Sequence, residues 1–139
     1  MKICVDTNVL ISATFWYGPS EVLLNKVDNK KIELVLSEEI LSEFQKVLGY
    51  EDVQKKIKDK NLEMKYTAEK FRAMSTIVCP STHFNSVKED PSDNKILECA
   101  VEGKADFIVS QDKHLLSLGE FNGIKIVSPK EFLELLSDK

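Results

Sequence analysis

The chain has 139 residues, of which 42% are hydrophobic and 30% are charged, as is ordinary for a soluble protein of one domain, residues 1–139. Its net charge of −4 counts against a typical nucleic-acid binder, because such proteins are usually basic. No apolar run approaches the ~20 residues of a membrane span and no signal peptide is recognisable, so we expect a cytoplasmic protein without membrane contact.

The cysteine content also indicates the cytoplasm. The three cysteines are odd in number, and each lies in or beside an apolar segment: Cys4, Cys79 and Cys99. This pattern predicts reduced, buried thiols rather than a disulfide framework.

The first predicted strand, residues 3–5, leads directly into a carboxylate, Asp6. A short, continuous apolar run is typical of a strand buried on both faces of a parallel sheet. Ligands bind at the carboxyl ends of such strands, which is where Asp6 would lie. The alternative is that Asp6 only caps the helix predicted from residue 7.

Three consecutive aromatic residues, Phe15, Trp16 and Tyr17, follow that helix and precede Gly18 and Pro19. They cannot all face one core, so we expect at least one exposed ring. An exposed ring here would suit a dimer face, another partner or a platform for stacking bases. A loop folded back on the core is an equally good interpretation. Ser20 is expected to cap the next helix, which ends near residue 28.

A second strand, residues 32–36, precedes a helix that Ser37 is expected to cap. The apolar residues of this helix form a single stripe, and Glu43 lies at the margin of that stripe. Glu38 and Glu39 point further outward. Glu43 could therefore be half-buried and directed inward, although an acid in this position is more often simply solvated.

Residues 51–75 predict one or two lysine-rich helices, whose basic residues are concentrated in the segment 53–72. It has seven basic and three acidic residues, a net charge of +4; since the whole chain is −4, the remainder carries −8. Such a segment is usually a solvated face, and the alternative is a patch that contacts phosphates. The candidate contacts are Lys55, Lys56 and Lys58.

A third short strand, residues 77–79, is followed by a loop and then by a helix that begins near Pro91. Pro91 fits the first helical position, which makes Asp90 the cap. Asp93 then falls in the middle of the apolar stripe of this helix. A carboxylate on a buried face is costly unless it is paired or bound to a metal, so Asp93 is the sharpest anomaly in the sequence.

The last elements repeat the strand-then-helix pattern. Strand 107–109 is followed by Asp112, which again lies just beyond the carboxyl end of a buried strand. A fifth strand, residues 124–127, precedes a final amphipathic helix, and His114 is expected on the surface. Strands that alternate with helices predict a three-layer α/β/α fold with a central parallel sheet of about five short strands.

A parallel sheet can bring Asp6, Glu43, Asp93 and Asp112 to one edge. Four converging carboxylates repel one another, and a divalent cation relieves that repulsion. An all-oxygen ligand set suits Mg²⁺ or Mn²⁺, and no histidine–cysteine set has the spacing of a zinc site. Magnesium held by carboxylates is typical of phosphate chemistry.

Several motifs follow one another along nearly the whole chain: Asp6-Thr7-Asn8-Val9-Leu10, Glu43 after the second strand, Asp90-Pro91-x-Asp93-Asn94-x-x-Leu97-Glu98-x-Ala100, Ala105-Asp106-x-Ile108-Val109-Ser110-x-Asp112 and Leu115-Leu116-x-Leu118. In this order they resemble the motifs of PIN domains. PIN domains are metal-dependent ribonucleases, and many small ones are VapC-like toxins of toxin–antitoxin pairs.

The resemblance implies catalytic metal-ligand roles for Asp6, Glu43, Asp93 and Asp112. It implies supporting roles for Asn8 and for Ser110, where the family more often has threonine; Asp90 could also help to hold the metal's water. The implied reaction is Mg²⁺- or Mn²⁺-dependent hydrolysis of RNA to a 3′-hydroxyl and a 5′-phosphate. The implied partners are an RNA substrate, a second copy in a homodimer and a cognate antitoxin. The main alternative is a PIN fold that binds RNA or protein without cleaving it.

Overall fold

In the computed structural model, which describes residues 1–83 and 93–137, a mostly parallel sheet is flanked by helices. This confirms the predicted α/β class. The strands of the described residues are β1 (Lys2–Val5), β2 (Glu33–Ser37), β3 (Ser75–Val78), β4 (Phe107–Val109), β5 (Glu120–Phe121) and β6 (Ile124–Val127). The helices are α1 (Thr7–Phe15), α2 (Pro19–Asp28), α3 (Glu38–Leu48), α4 (Glu51–Asp59), α5 (Ala68–Ala73), α6 (Asp93–Glu102), α7 (Lys113–Leu118) and α8 (Pro129–Ser137).

The order of strands across the sheet is β3-β2-β1-β4-β6-β5. β1 lies between β2 and β4 and is parallel to both. The chain first builds the sheet outward from β1 to β3, and then returns to add β4 on the other side of β1. This reversal creates a crevice at the carboxyl ends of β1 and β4, which is where ligands bind in open α/β sheets.

The central strands are apolar because helices cover them. Ile3, Cys4 and Val5 of β1 are fully buried, and α6 packs across β1, β2 and β4. Gly103, just after α6, allows the closest approach: a Cβ at this position would lie 2.3 Å from Val35 Cγ1 of β2. The carboxyl end of α6 is thereby held against the sheet.

The lysine-rich segment forms two helices, with a break at residues 60–67. Thr67 caps the second of them, since its hydroxyl accepts a hydrogen bond from Lys70 N at 3.1 Å. Phe71 of this helix packs edge-on against Phe44 of α3, with ring centroids 5.2 Å apart. α5 is thereby anchored to the core, whereas α4 has no buried residue along its described length.

Several sequence-based expectations need correction. β5 is a two-residue strand that pairs antiparallel with β6, because a tight turn at Asn122 and Gly123 reverses the chain. Ser20 does not cap α2: Pro19 takes the first helical position after Gly18, and Ser20 is buried. Cys79 is exposed rather than buried, because it follows β3 at the edge of the sheet; Cys4 and Cys99 are buried as expected.

Candidate functional site

Asp6 lies at the crevice where the strand order reverses. Its side chain is only 4% exposed. Oδ1 accepts a hydrogen bond from Val9 N at 2.9 Å and so caps α1, while Oδ2 accepts from Gln111 N at 3.3 Å and from the Ser110 hydroxyl. The two interpretations of Asp6 are therefore compatible, because the carboxylate caps a helix and also lines the crevice.

Ser110 and Asp112 come from the neighbouring strand. The Ser110 hydroxyl donates to Asp6 and accepts from Asp112 N at 2.9 Å, so one buried side chain contacts both acidic residues. Asp112 caps α7, since its Oδ1 accepts from His114 N at 2.8 Å and from Leu115 N at 3.2 Å. Asp6 and Asp112 are thus held in place by backbone groups of the helices that follow their strands.

The other two predicted acids come from helices. Asp93 begins α6 and is 6% exposed, which confirms the expectation of a carboxylate on the buried face. Glu43 is half-buried on α3, whereas Glu38 and Glu39 are exposed. Glu38 accepts two hydrogen bonds from the guanidinium of Arg72, and Glu39 lies 3.8 Å from the Lys95 ammonium. These partners hold Glu38 and Glu39 at the surface.

All four acids line the same cavity. It has a volume of about 50 Å³, and its lining consists of Asp6, Thr7, Asn8, Glu43, Asp93, Ile96 and Asp112. Asn8 is exposed at its mouth. Asp90 lies outside the described residues. Four separate elements of the fold therefore deliver carboxylates to one small space.

Two further side chains at this site escaped the sequence analysis. Thr7 is buried beside Asp6; it belongs to the first motif of the resemblance, but no role of its own was predicted for it. His114 was expected on the surface, but its ring is partly buried, because α7 begins at the crevice with Asp112 as its cap. Its position two residues after Asp112 was the available signal. Asp93, Asp112 and His114 each offer one ligand atom, and these atoms lie within 4.8 Å of one another.

The electrostatics of the site follow from its burial. Desolvation raises the pKa of Asp6 above its ordinary value, and repulsion from Asp112 adds to this effect. Hydrogen bonds from Ser110, Val9 and Gln111 oppose the rise, because they stabilise the ionised form. The Asp6 carboxylate thus lies where its negative charge is costly unless a positive charge compensates for it.

The residues of the cavity fit a small divalent cation. The donor set is rich in carboxylate oxygen, which suits Mg²⁺ and Mn²⁺. Among the described residues, Thr7 Oγ1 and His114 Nδ1 are buried and have no hydrogen-bond partner, although His114 Nδ1 lies 3.6 Å from Asp112 Oδ1. A volume of about 50 Å³ holds a few species of the size of water.

A wider groove of about 530 Å³ adjoins the cavity, and the two share Glu43. Ser42, Lys46, Tyr50 and Lys95 are among the residues that line it. The lysines expected to contact substrate lie elsewhere: Lys55, Lys56 and Lys58 are exposed on α4. Of these, the Lys56 ammonium lies 5.8 Å from the centroid of the Trp16 ring.

Comparison with known proteins agrees with this geometry. The family model described as PIN domain matches residues 2–114, a segment that includes Asp6, Glu43, Asp93 and Asp112. No curated protein matches the chain. Among residues 1–83 and 93–137, no helix has the length and apolar character needed to cross a membrane. Since the match covers well over half of the sequence, the chain belongs to the PIN domain family, whose members are generally nucleases.

Proposed function

We propose that this protein is a metal-dependent endoribonuclease that uses Mg²⁺ or Mn²⁺ to hydrolyse phosphodiester bonds of RNA. The observation that supports this function is the convergence of four carboxylates, two that follow β1 and β4 and two from helices α3 and α6, on one small cavity in a PIN domain. A cluster of negative charges in a partly buried space is well suited to bind a cation. It would repel an anion such as a phosphate unless a cation is also bound.

In this proposal Asp6, Glu43, Asp93 and Asp112 hold the metal, with His114 as an additional nitrogen donor. The chemistry that a divalent cation supplies when bound is neutralisation of charge and a lowered pKa for a nearby water molecule. Ser110 orients Asp6 through its hydroxyl, and Asn8, which lines the cavity, keeps the supporting polar role that the resemblance implies. Asp90 keeps a supporting role in the proposal by resemblance alone.

The reaction is the hydrolysis of one phosphodiester bond. A bond forms between the water oxygen and phosphorus, the bond between phosphorus and the 3′-oxygen breaks, and a proton is transferred to that oxygen. The products carry a 3′-hydroxyl and a 5′-phosphate. Lys46 and Lys95, which line the adjoining groove together with Glu38 and Glu39, are further candidates for contacts with RNA phosphates.

The biological role is proposed from resemblance to small PIN toxins. The protein acts as the toxin of a toxin–antitoxin pair, forms a homodimer and is inhibited by a cognate antitoxin. It works in the cytoplasm, where the buried thiols of Cys4 and Cys99 stay reduced.

The decisive experiment compares cleavage of an end-labelled structured RNA in Mn²⁺, in Mg²⁺ and in EDTA. We expect cleavage with either cation, none in EDTA, and at least a hundredfold loss for Asp93→Asn. Asp106→Asn is the matched control and should leave cleavage unchanged, because Asp106 precedes the amino end of β4 and the acidic cavity lies at the carboxyl end. RNA binding without cleavage by the wild-type protein in either cation would favour a binding module instead.

A second experiment tests the lysines of α4. In the proposal Lys55, Lys56 and Lys58 contact substrate phosphates, so replacing all three with Glu should weaken RNA binding. It should also flatten the salt dependence, since each lost phosphate contact lowers the slope of log K against log salt by about 0.7 for single strands. An unchanged slope would identify these lysines as ordinary solvated surface.

A further inference from the structure

Two large aromatic side chains are exposed just after α1, the helix that begins next to Asp6. Phe15 is buried, but Trp16 is 41% exposed and Tyr17 is 84% exposed. Trp16 caps the carboxyl end of α1, and its backbone N–H donates to Ser12 O at 2.9 Å. The next helix, α2, begins at Pro19. The short connection leaves Tyr17 almost fully exposed and a large part of Trp16 accessible.

Lysines of the basic segment lie over these rings. The ammonium groups of Lys56 and Lys60 are 5.8 Å and 5.7 Å from the centroid of the Trp16 ring, near the outer limit of a cation–π interaction. Lys65 is held more tightly, at 3.9 Å from the centroid of Tyr17 and 2.6 Å from the Trp16 carbonyl oxygen. Lys65 therefore fixes the two segments together, while Lys56 and Lys60 have ammonium groups free to contact phosphates.

This aromatic–lysine surface, formed by Trp16, Tyr17, Lys56 and Lys60, is joined to the acidic site through Gln111. A groove of about 160 Å³ runs along Trp16 and Tyr17 and has Gln111 in its wall. The Gln111 side chain bonds to Ser12 and Ser20, each at 3.1 Å, and its backbone N–H donates to Asp6. One residue thus forms part of the groove and also holds the carboxylate of the neighbouring cavity.

We propose that the aromatic–lysine surface is a subsite for unpaired RNA nucleotides that flank the bond to be cut. Bases stack on Trp16 and Tyr17, and the phosphates between them contact Lys56 and Lys60. This inference rests on the proposed ribonuclease function, because it supplies that site with its substrate.

Charge and shape favour this occupant. Lys56 and Lys60 belong to the segment 53–72, which has a net charge of +4 in a chain that is otherwise −8, so the lysines of this surface attract a polyanion. Ring faces next to cations match single strands, whose bases are available for stacking, and not duplexes, whose bases are already stacked. The one acid in the groove wall, Glu21, accepts a hydrogen bond from Asn25.

Trp16 is the sole tryptophan of the chain, so its fluorescence reports directly on the aromatic–lysine surface. Wild-type protein in EDTA is titrated with a 12-nucleotide oligouridylate, which stays unpaired. We expect saturable quenching of Trp16, much weaker quenching by a duplex RNA of equal length, and about tenfold weaker oligouridylate binding for Tyr17→Ala. Tyr17→Ala keeps the fluorophore, and its exposed position makes the change compatible with folding.

The charge variants complete the test. Lys56→Glu with Lys60→Glu should lower the salt slope of oligouridylate binding by about 1.4, which corresponds to two phosphate contacts. Lys31→Glu with Lys104→Glu is the matched control; both residues are exposed and precede strands at the opposite edge of the sheet, so the slope should stay the same.

Several results would overturn the subsite. The first is RNA binding without any change in Trp16 fluorescence. The second is equal quenching by polyglutamate, which would indicate an acidic protein partner. The third is a fluorescence change that depends on protein concentration alone, which would indicate a dimer face. The subsite and the nuclease can fail separately. Quenching by a protein that never cleaves RNA would refute the nuclease and leave a surface that only binds RNA, whereas Asp93-dependent cleavage without quenching would refute the subsite and support the nuclease.

Discussion

The Ser110 hydroxyl donates a hydrogen bond to Asp6 Oδ2, and so connects the ends of two neighbouring parallel strands. The same oxygen accepts from Asp112 N at 2.9 Å. Ser110 and Asp6 are both buried. A hydrogen bond to a charged carboxylate contributes more to stability than a hydrogen bond between two neutral groups. Ser110 therefore fixes the geometry of the acidic site without contributing a charge to it.

Replacing Ser110 with Ala should lower the free energy of unfolding by about 2 kcal/mol, because a buried carboxylate and a backbone N–H lose their shared partner. Cleavage should fall as well, since Asp6 loses its orientation. Ser110→Thr keeps the hydroxyl and should retain cleavage. Denaturant unfolding and cleavage rates measure the two effects, with exposed Ser117→Ala as the control. Equal cleavage by the Ala and Thr variants would contradict this role.

Divalent cations should stabilise the folded protein. A ligand that binds the native state alone raises the free energy of unfolding by about 2.7 kcal/mol at a concentration a hundred times its dissociation constant. We therefore expect the melting temperature to rise with added Mn²⁺ or Mg²⁺, and to rise much less in Asp93→Asn. Thermal unfolding during a titration of either cation measures this. An equal rise in both proteins would place the binding elsewhere.

Without cations, the stability of the protein should depend on the ionisation of Asp6. Burial raises the pKa of Asp6 in the folded state above the ordinary value of 3.8, so the folded protein binds this proton more tightly than the unfolded chain does. The stabilising contribution of protonated Asp6 is present below that ordinary value and is lost as the pH rises through the raised pKa. The side chain of Asp6→Asn does not ionise, so the stability of this variant should lack the pH dependence that Asp6 causes.

The measurement is the free energy of unfolding against pH in EDTA for wild type and Asp6→Asn. The difference between the two curves isolates Asp6 from the other carboxyl groups. Wild type should lose stability relative to the variant as the pH rises, and added Mn²⁺ should reverse that loss. Parallel curves would show that burial imposes no such cost on Asp6.

Gly103→Ala should destabilise the fold by about 1–3 kcal/mol, because its Cβ would lie 2.3 Å from Val35 Cγ1 in a packed core. Gly49→Ala is the matched control, since the nearest atom to its Cβ would be 3.5 Å away, an ordinary contact. Denaturant unfolding compares the two variants. If both cost the same, the close approach of α6 to β2 is not a constraint on the fold.

The sequence by itself determined the α/β class and the positions of the acids along the chain. Short apolar strands alternate with amphipathic helices, and each periodicity is local, so it can be read without the fold. The burial of Asp93 was predicted for the same reason, because its helix carries the apolar stripe on which it lies. The antiparallel β5 was missed because two residues are too short for a pattern.

Only the tertiary structure decided which acids share a cavity and what surrounds them. The helical stripe already set Glu43 apart from Glu38 and Glu39, but the partners of Glu38 and Glu39, Arg72 and Lys95, come from distant parts of the chain. The partial burial of His114 and the lysines over Trp16 likewise depend on how separate elements pack. Contacts between residues far apart in sequence leave no periodic signal. At the acidic site they arise because the strand order reverses beside β1 and brings the ends of β1 and β4 together.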